Sequence, residues 1–134
     1  MSNIIHVCAA VICLNENYLL TSRPKGKHLE GYWEFPGGKL HKNETVGECV
    51  KRELKEELGV EVIPLDLIYS IEHIYPEKAV YLEFVRTLPE NLSDFKPKAL
   101  EGQGIQWVHF SKLNEVTFVP ADYPLAEYLA CSFS

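Results

Sequence analysis

From Ile4 to Leu14 the chain is apolar at almost every position and rich in Ile, Val, Cys and Ala, which predicts a mostly buried strand. Asn15-Glu16-Asn17 is a turn, and Tyr18 to Ser22 returns as a second strand. Arg23 to Gly31 is polar and broken by Pro24, Gly26 and Gly31, so it reads as a loop. Trp33-Glu34-Phe35 is a short strand, stopped by a turn at Pro36-Gly37-Gly38. The apolar period then changes. Val46, Val50, Leu54 and Leu58 recur every fourth residue, the stripe of a helix over Thr45–Leu58 that Glu44-Thr45 opens and Gly59 caps. Glu48 in its first turns suits the helix dipole. Glu61 to Tyr75 reads as a strand with a break at Pro64. Lys78 to Leu88 is its antiparallel partner across Tyr75-Pro76-Glu77, with Val80, Leu82 and Phe84 on one face. A loop over Pro89–Ala99 and an acidic, flexible Glu101-Gly102-Gln103-Gly104 follow. Ile105 to Phe110 is a strand, Ser111 to Glu115 a short helix, and Ala121 to Cys131 the last helix, with Leu125, Tyr128 and Leu129 on its buried side. Strands mixed with two principal helices predict an α/β sandwich with helices on both faces of a mixed β-sheet.

Composition narrows the class. The 134 residues suit a single domain spanning 1–134, and 46% hydrophobic content supports a real core. A formal net charge of −6 without a basic run argues against stable nucleic-acid binding. Cys8, Cys13, Cys49 and Cys131 show no metal-ligand spacing and read as ordinary thiols of a reducing compartment. The start has no basic leader-like region, and Val7–Leu14 is too short to span a membrane, so the cytoplasm is the expected location. A monomer or a homodimer is expected.

The predicted helix carries the chemistry. Glu53, Glu56 and Glu57 stand at i, i+3 and i+4, on one face that borders the apolar stripe. Carboxylates crowded at the edge of a buried face repel one another and lose hydration. A positive partner is therefore expected over them, and a hard cation with oxygen ligands, Mg2+ or Mn2+, fits best. A backbone carbonyl from the Gly37-Gly38 turn would complete its shell. Arg52 is placed to pair with one of these acids and hold it. Arg23, Lys25, Lys27 and His28 make the preceding loop the cationic segment of an acidic protein. That loop reads either as solvated or as closing on phosphate oxygens, with Arg23 able to bind bidentately. Together these features imply metal-assisted hydrolysis of a phosphate anhydride.

The same residues fit a pattern, G-x5-E-x7-R-E-U-x-E-E-x-G-U with U bulky and apolar. Its nine fixed positions are Gly38, Glu44, Arg52, Glu53, Leu54, Glu56, Glu57, Gly59 and Val60, with no departure. This is the Nudix box, and the chain resembles Nudix hydrolases. The runs Trp33–Lys39 (WEFPGGK) and Val119–Asp122 (VPAD) resemble the MutT-like branch. The resemblance implies an α/β/α Nudix sandwich and hydrolysis of a nucleoside triphosphate substrate to monophosphate and pyrophosphate. It implies metal binding by Glu53, Glu56, Glu57 and the Gly37 carbonyl, with Glu101 as a further acid for metal binding or catalysis; the other reading of Glu101 is a solvated loop acid. It places Arg23, His28, Glu34, Phe35, Pro36, Gly37 and Asp122 near the nucleotide, and Gly38, Glu44 and Arg52 in support.

MutT-like patterns carry Asn after Pro-Ala to read oxidised guanine, whereas this chain has Asp122. An ionised Asp only accepts hydrogen bonds. Asp122 would favour N–H groups, such as the N4 amine of cytosine or the N–H groups of 8-oxoguanine; its other reading is an N-cap for the last helix, with Pro124 in the first turn. The Pro-Ala-Asp sequence also resembles a CTP pyrophosphohydrolase branch. The substrates implied are 8-oxo-dGTP first, then CTP or a modified pyrimidine triphosphate. ADP-sugars or dinucleotides suit the short loops less well. A non-catalytic nucleotide-binding module is the rival class.

Overall fold

A computed structural model describes residues 4–131. The N-terminal apolar run forms β1 (Ile4–Val11), breaks at Ile12, and resumes as β2 (Cys13–Leu14). The single strand expected over Ile4–Leu14 is thus two, and the break lets one run serve two sheets. Then come β3 (Asn17–Ser22), β4 (Trp33–Glu34), β5 (Gly37–Lys39), α1 (Val46–Leu58), β6 (Val62–Ile74), β7 (Ala79–Pro89), β8 (Ile105–His109) and α2 (Tyr123–Cys131). The short helix expected near Ser111 is a 3-10 helix over Phe110–Glu115, and further 3-10 turns lie at Leu92–Asp94 and Pro120–Asp122.

One sheet has the order β5-β1-β7-β6. It is mixed, because β1 runs parallel to β7 while its other pairs are antiparallel. In the second sheet β3 pairs with β8 along one side and with β2 and β4 along the other. Successive side chains of a strand point to opposite faces. Cys8, Ala10 and Ile12 pack with Cys49, Val50, Leu54 and Leu58 of α1. Ala9 and Val11 join a separate cluster with Leu125, Ala126 and Leu129 of α2. The mixed sheet therefore lies between two helices, the α/β sandwich that the element pattern predicts.

Helix α1 is held at both ends by its own sequence. Thr45 is the N-cap: its hydroxyl accepts from the Glu48 N–H at 3.1 Å, and the Glu48 carboxylate accepts from the Thr45 N–H at 2.9 Å. This capping box satisfies two N–H groups that a helix start otherwise leaves open. Gly59 closes the helix in the left-handed region at φ 67, where a side chain would be strained. Val50, Leu54 and Leu58 are fully buried, with Cys49 beside them.

Four expectations are corrected. Tyr128 is not on the buried side of α2: it is 66% exposed, whereas Leu125, Ala126 and Leu129 are buried. At about 100° per residue the helix is turned toward Ala126, which carries Tyr128 off the core. Pro64 does not end its strand; β6 runs through it with register shifts between Pro64 and Tyr69. It is an edge strand, so a missing N–H is tolerated there. Phe35 lies just beyond β4, and its N–H goes to Asp122 at 2.9 Å instead of to a neighbouring strand. Gly37 and Gly38 are not a turn: they are paired in β5, Gly37 opposite Ala9 and Gly38 opposite Cys8.

Candidate active site

A cavity of about 420 Å3 opens beside the mixed sheet. Ile5 and Val7 of β1 and Val80 and Leu82 of β7 give it an apolar wall. Volumes of roughly 300–1,000 Å3 are usual for sites that hold small organic ligands. Glu53 and Glu57 of α1, Gly37 and Gly38 of β5, Arg23 and His28 of the loop after β3, Glu34 and Phe35, and Asp122 all line this one cavity. Residues more than eighty positions apart in sequence thus share it. Pro36 contributes to the fold instead: its carbonyl accepts from the Ala10 N–H at 2.7 Å.

The two glycines of β5 are needed for contact. A Cβ at Gly37 would overlap the Cys8 carbonyl oxygen, and one at Gly38 would overlap the Glu53 carboxylate. Cys8 also meets Cys49, Sγ to Sγ at 2.6 Å, where β1 packs on α1.

Arg52 organises the acids along α1. Its Nε and Nη2 bind both oxygens of Glu44, at 2.7 and 2.9 Å. Its Nη1 reaches Glu53 at 3.1 Å and Glu56 at 3.2 Å, and Nη2 also donates to the Lys39 carbonyl at 2.9 Å. The guanidinium therefore holds Glu44, with help from the His41 N–H, down at about 2 despite opposing desolvation. Arg52 ties three carboxylates and a backbone carbonyl together, where pairing with one acid was expected.

Glu57 is the opposite case. Burial pushes its carboxyl far above the usual range; Glu53, within hydrogen-bonding reach, adds to the shift, and the charges of Glu101 and Glu34 add further. Two carboxyls this close demand a shared proton or a cation. Hard oxygen donors of this kind suit Mg2+ or Mn2+, so Glu53 and Glu57 fit a divalent metal by chemistry and charge. Glu56 stands apart, its side chain 54% exposed and drawn to Arg52. Among the described residues no three His, Cys, Asp or Glu side chains converge closely enough to hold a cation. The three-glutamate cluster expected from helix spacing is thus a pair with a flanking third.

Glu101 does not line the cavity, but its charge reaches Glu57. Buried Gln103 brings it there, accepting from the Glu101 N–H at 2.9 Å and donating to the Glu57 carbonyl at 3.1 Å. Sequence reasoning missed Gln103; an amide between two flexible glycines gives no sign that it is buried. It also missed Tyr75 and Lys78, which the β6–β7 hairpin brings to the cavity, and Lys39 of β5. The hairpin was legible, but not the surface over which it folds.

At the polar wall, Arg23 Nε lies 3.3 Å from Glu34 Oε1. That separation permits ion pairing, yet Nε has no aligned hydrogen-bond acceptor. Burial raises the Glu34 carboxyl and Arg23 opposes the shift. Phe35 is buried under this wall, stacked on Phe118 at 5.7 Å between centroids. Asp122 is 2% exposed, and its Oδ2 accepts from the Phe35 N–H, so that oxygen braces the strand end instead of capping α2.

A glutamate-lined helix beside two close-packed glycine strand residues, inside an α/β/α sandwich, defines a class. The chain belongs to the Nudix family: the family model described as NUDIX domain matches residues 5–129. It is 41% identical over 81 residues to the 8-oxo-dGTP diphosphatase of Proteus vulgaris, covering 60% of this chain and 72% of that protein. It is 31% identical over 125 residues to the CTP pyrophosphohydrolase of Escherichia coli (strain K12), covering 92% of this chain and 89% of that protein. Among solved structures, the E. coli ORF135 protein superposes with a TM-score of 0.80 at 29% identity, covering 94% of this chain and 88% of that one. MutT-like Nudix hydrolases are thus its relatives by sequence and by fold.

Proposed function

We propose that this protein hydrolyses nucleoside triphosphates to a nucleoside monophosphate and pyrophosphate, with 8-oxo-dGTP the leading substrate. The observation that carries this reading is the Glu53–Glu57 carboxyl pair in the same cavity as Arg23 and Asp122. One cavity then offers hard donors for a metal, a cation for phosphate and a buried polar group for a base. A divalent cation, Mg2+ or Mn2+, would be held by Glu53 and Glu57 with Glu56 and the Gly37 carbonyl; when bound, it neutralises phosphate charge and activates water for attack. Arg52 keeps Glu53 in place from behind, and Gly38 leaves room for its carboxylate. Arg23, which lines the cavity, receives a phosphate oxygen through its guanidinium, with His28 on the same loop. Glu34, Phe35 and Asp122 hold the nucleoside end, and Glu101, brought up by Gln103, adds negative charge near Glu57.

The relatives support two bases, oxidised guanine and cytosine. Nucleotide-pool sanitation in the cytoplasm, protecting DNA replication from damaged precursors, is the role that the first would serve. No helix among the described residues is long and apolar enough to cross a membrane.

The test is a turnover panel with Mg2+ containing 8-oxo-dGTP, dGTP, CTP, dCTP, ADP-ribose and diadenosine polyphosphate, with products identified. Preference for 8-oxo-dGTP, releasing pyrophosphate, is the expected result. Preference for cytosine nucleotides would move the protein to the second reading with its metal chemistry intact. No turnover by folded protein would overturn the triphosphatase reading and leave a nucleotide-binding module.

A further inference from the structure

Asp122 is a buried acid without a cationic partner. It is 2% exposed, in the turn Pro120–Asp122, beside buried Phe118, Val119 and Ala121. One N–H, that of Phe35, donates to its Oδ2. Among the described residues no Lys, Arg or His forms an ion pair with it; Arg23, the cation that acts on it through space, pairs with Glu34. Asp122 lines the cavity; among the described residues no hydrogen bond reaches its Oδ1, and Oδ2, with one accepted bond, keeps a second acceptor position.

A carboxylate taken from water with one hydrogen bond and no counter-charge is costly, and taking up a proton removes that cost. Burial drives the Asp122 carboxyl well above its ordinary range; the Phe35 N–H and Arg23 pull it down, while Glu34 adds to the rise. Arg23, Lys27, His28, Lys39, Tyr75 and Lys78 line the same cavity, and Glu34, Glu53 and Glu57 are its other acids.

We propose that Asp122 meets the base as a neutral acid, offering one acceptor oxygen and one hydroxyl donor to a base edge that sets an N–H beside an acceptor. The inference rests on the proposed activity and sharpens it. The ionised Asp122 considered from the sequence would only accept; a neutral one both donates and accepts, as a carboxamide does. Guanine presents two acceptors, N7 and O6, on its major-groove edge. Oxidation at C8 places a hydrogen on N7 and leaves O6 an acceptor. A neutral Asp122 therefore makes two bonds to the oxidised base and one to guanine. An ionised Asp122 would repel O6 in both and favour an edge with two N–H donors.

Two measurements on the whole protein test this. The first follows the Asp122 carboxyl carbon by NMR across pH, in protein labelled with 13C-aspartate and assigned with Asp122→Asn. The resonance is expected at the protonated-acid position at pH 7, moving only at higher pH; a carboxylate position at pH 7 overturns the proposal. The second is the ratio of kcat/KM for 8-oxo-dGTP over dGTP against pH. A ratio cancels titrations of metal, phosphate and Glu57 common to both substrates. In the wild type it should fall as pH rises through the Asp122 transition. In Asp122→Asn, which keeps donor and acceptor at every pH, it should lack that limb and stay within about tenfold of the wild-type value at pH 7, whereas Asp122→Ala should lose roughly tenfold to a hundredfold of it. Reversed base preference in Asp122→Asn, or one pH course shared by both proteins, overturns the proposal. Absence of any 8-oxo-dGTP turnover would sink the activity reading instead, and the carboxyl titration would still decide the protonation state.

Discussion

Two adjacent glycines give opposite predictions. At Gly37 an added methyl meets backbone, the Cys8 carbonyl, which cannot move without breaking the pairing of β5 with β1. Gly37→Ala should cost about 3 kcal/mol or more in urea denaturation. At Gly38 the methyl meets the end of the flexible Glu53 side chain, which can swing away. Gly38→Ala should keep most of the stability but lose turnover by about a hundredfold, because a displaced carboxylate misplaces the metal. Equal losses of stability in the two variants would contradict this assignment. Glu57 gives a third test: Glu57→Gln keeps the shape but removes charge and basicity, and kcat should fall at least about a hundredfold with the fold intact by circular dichroism.

At the scale of the element, α1 is positioned by its ends and by its face. The capping box at Thr45 and Glu48 fixes where the helix starts, and hence which residues point at β5. Thr45→Ala should cost about 1 kcal/mol of unfolding free energy. Leu54, fully buried against β1, should cost about 2–5 kcal/mol when cut to Ala. Gly59 holds a left-handed backbone and its N–H returns to Lys55 at 3.0 Å. Beyond it, the chain binds the end of α1 again: the Lys98 and Leu100 N–H groups donate to the Leu58 and Glu57 carbonyls at 2.9 and 3.1 Å. The last turn of the helix, where Glu57 sits, is thereby tied to the segment that carries Glu101.

For the molecule as a whole, the acids act on stability in opposite directions. Glu57 has a raised carboxyl, so below that raised value the folded protein holds a proton that the unfolded chain has released. Stability of the metal-free protein should therefore fall as pH rises from the ordinary carboxylate range toward about 10. Mg2+ replaces the proton, so its stabilising effect should grow over the same range. Glu44, held down by Arg52, has the reverse sign: its contribution is complete above the ordinary carboxylate value and lost as pH falls toward about 2. Thermal melts with EDTA and with Mg2+ from pH 5 to pH 9 check the first effect. An Mg2+ shift that is flat with pH would remove Glu57 from the metal site.

The sequence by itself determined most of the elements, the helix that carries the acids, and the family. These are local properties: the four-residue apolar stripe, the Thr45–Glu48 cap and the spacing of Glu53, Glu56 and Glu57 each act within a few turns. Tertiary structure alone decided which acids converge. Helix spacing put Glu56 and Glu57 on one face, but exposed Glu56 pairs with Arg52 while half-buried Glu57 comes within hydrogen-bonding reach of Glu53. It also decided that Asp122 reaches the Phe35 N–H across the fold, that Gln103 is buried under Glu101, and that the Tyr75–Lys78 hairpin joins the cavity. Each depends on desolvation and on partners distant in the chain, and a carboxyl's charge and partners are set by what surrounds it in space.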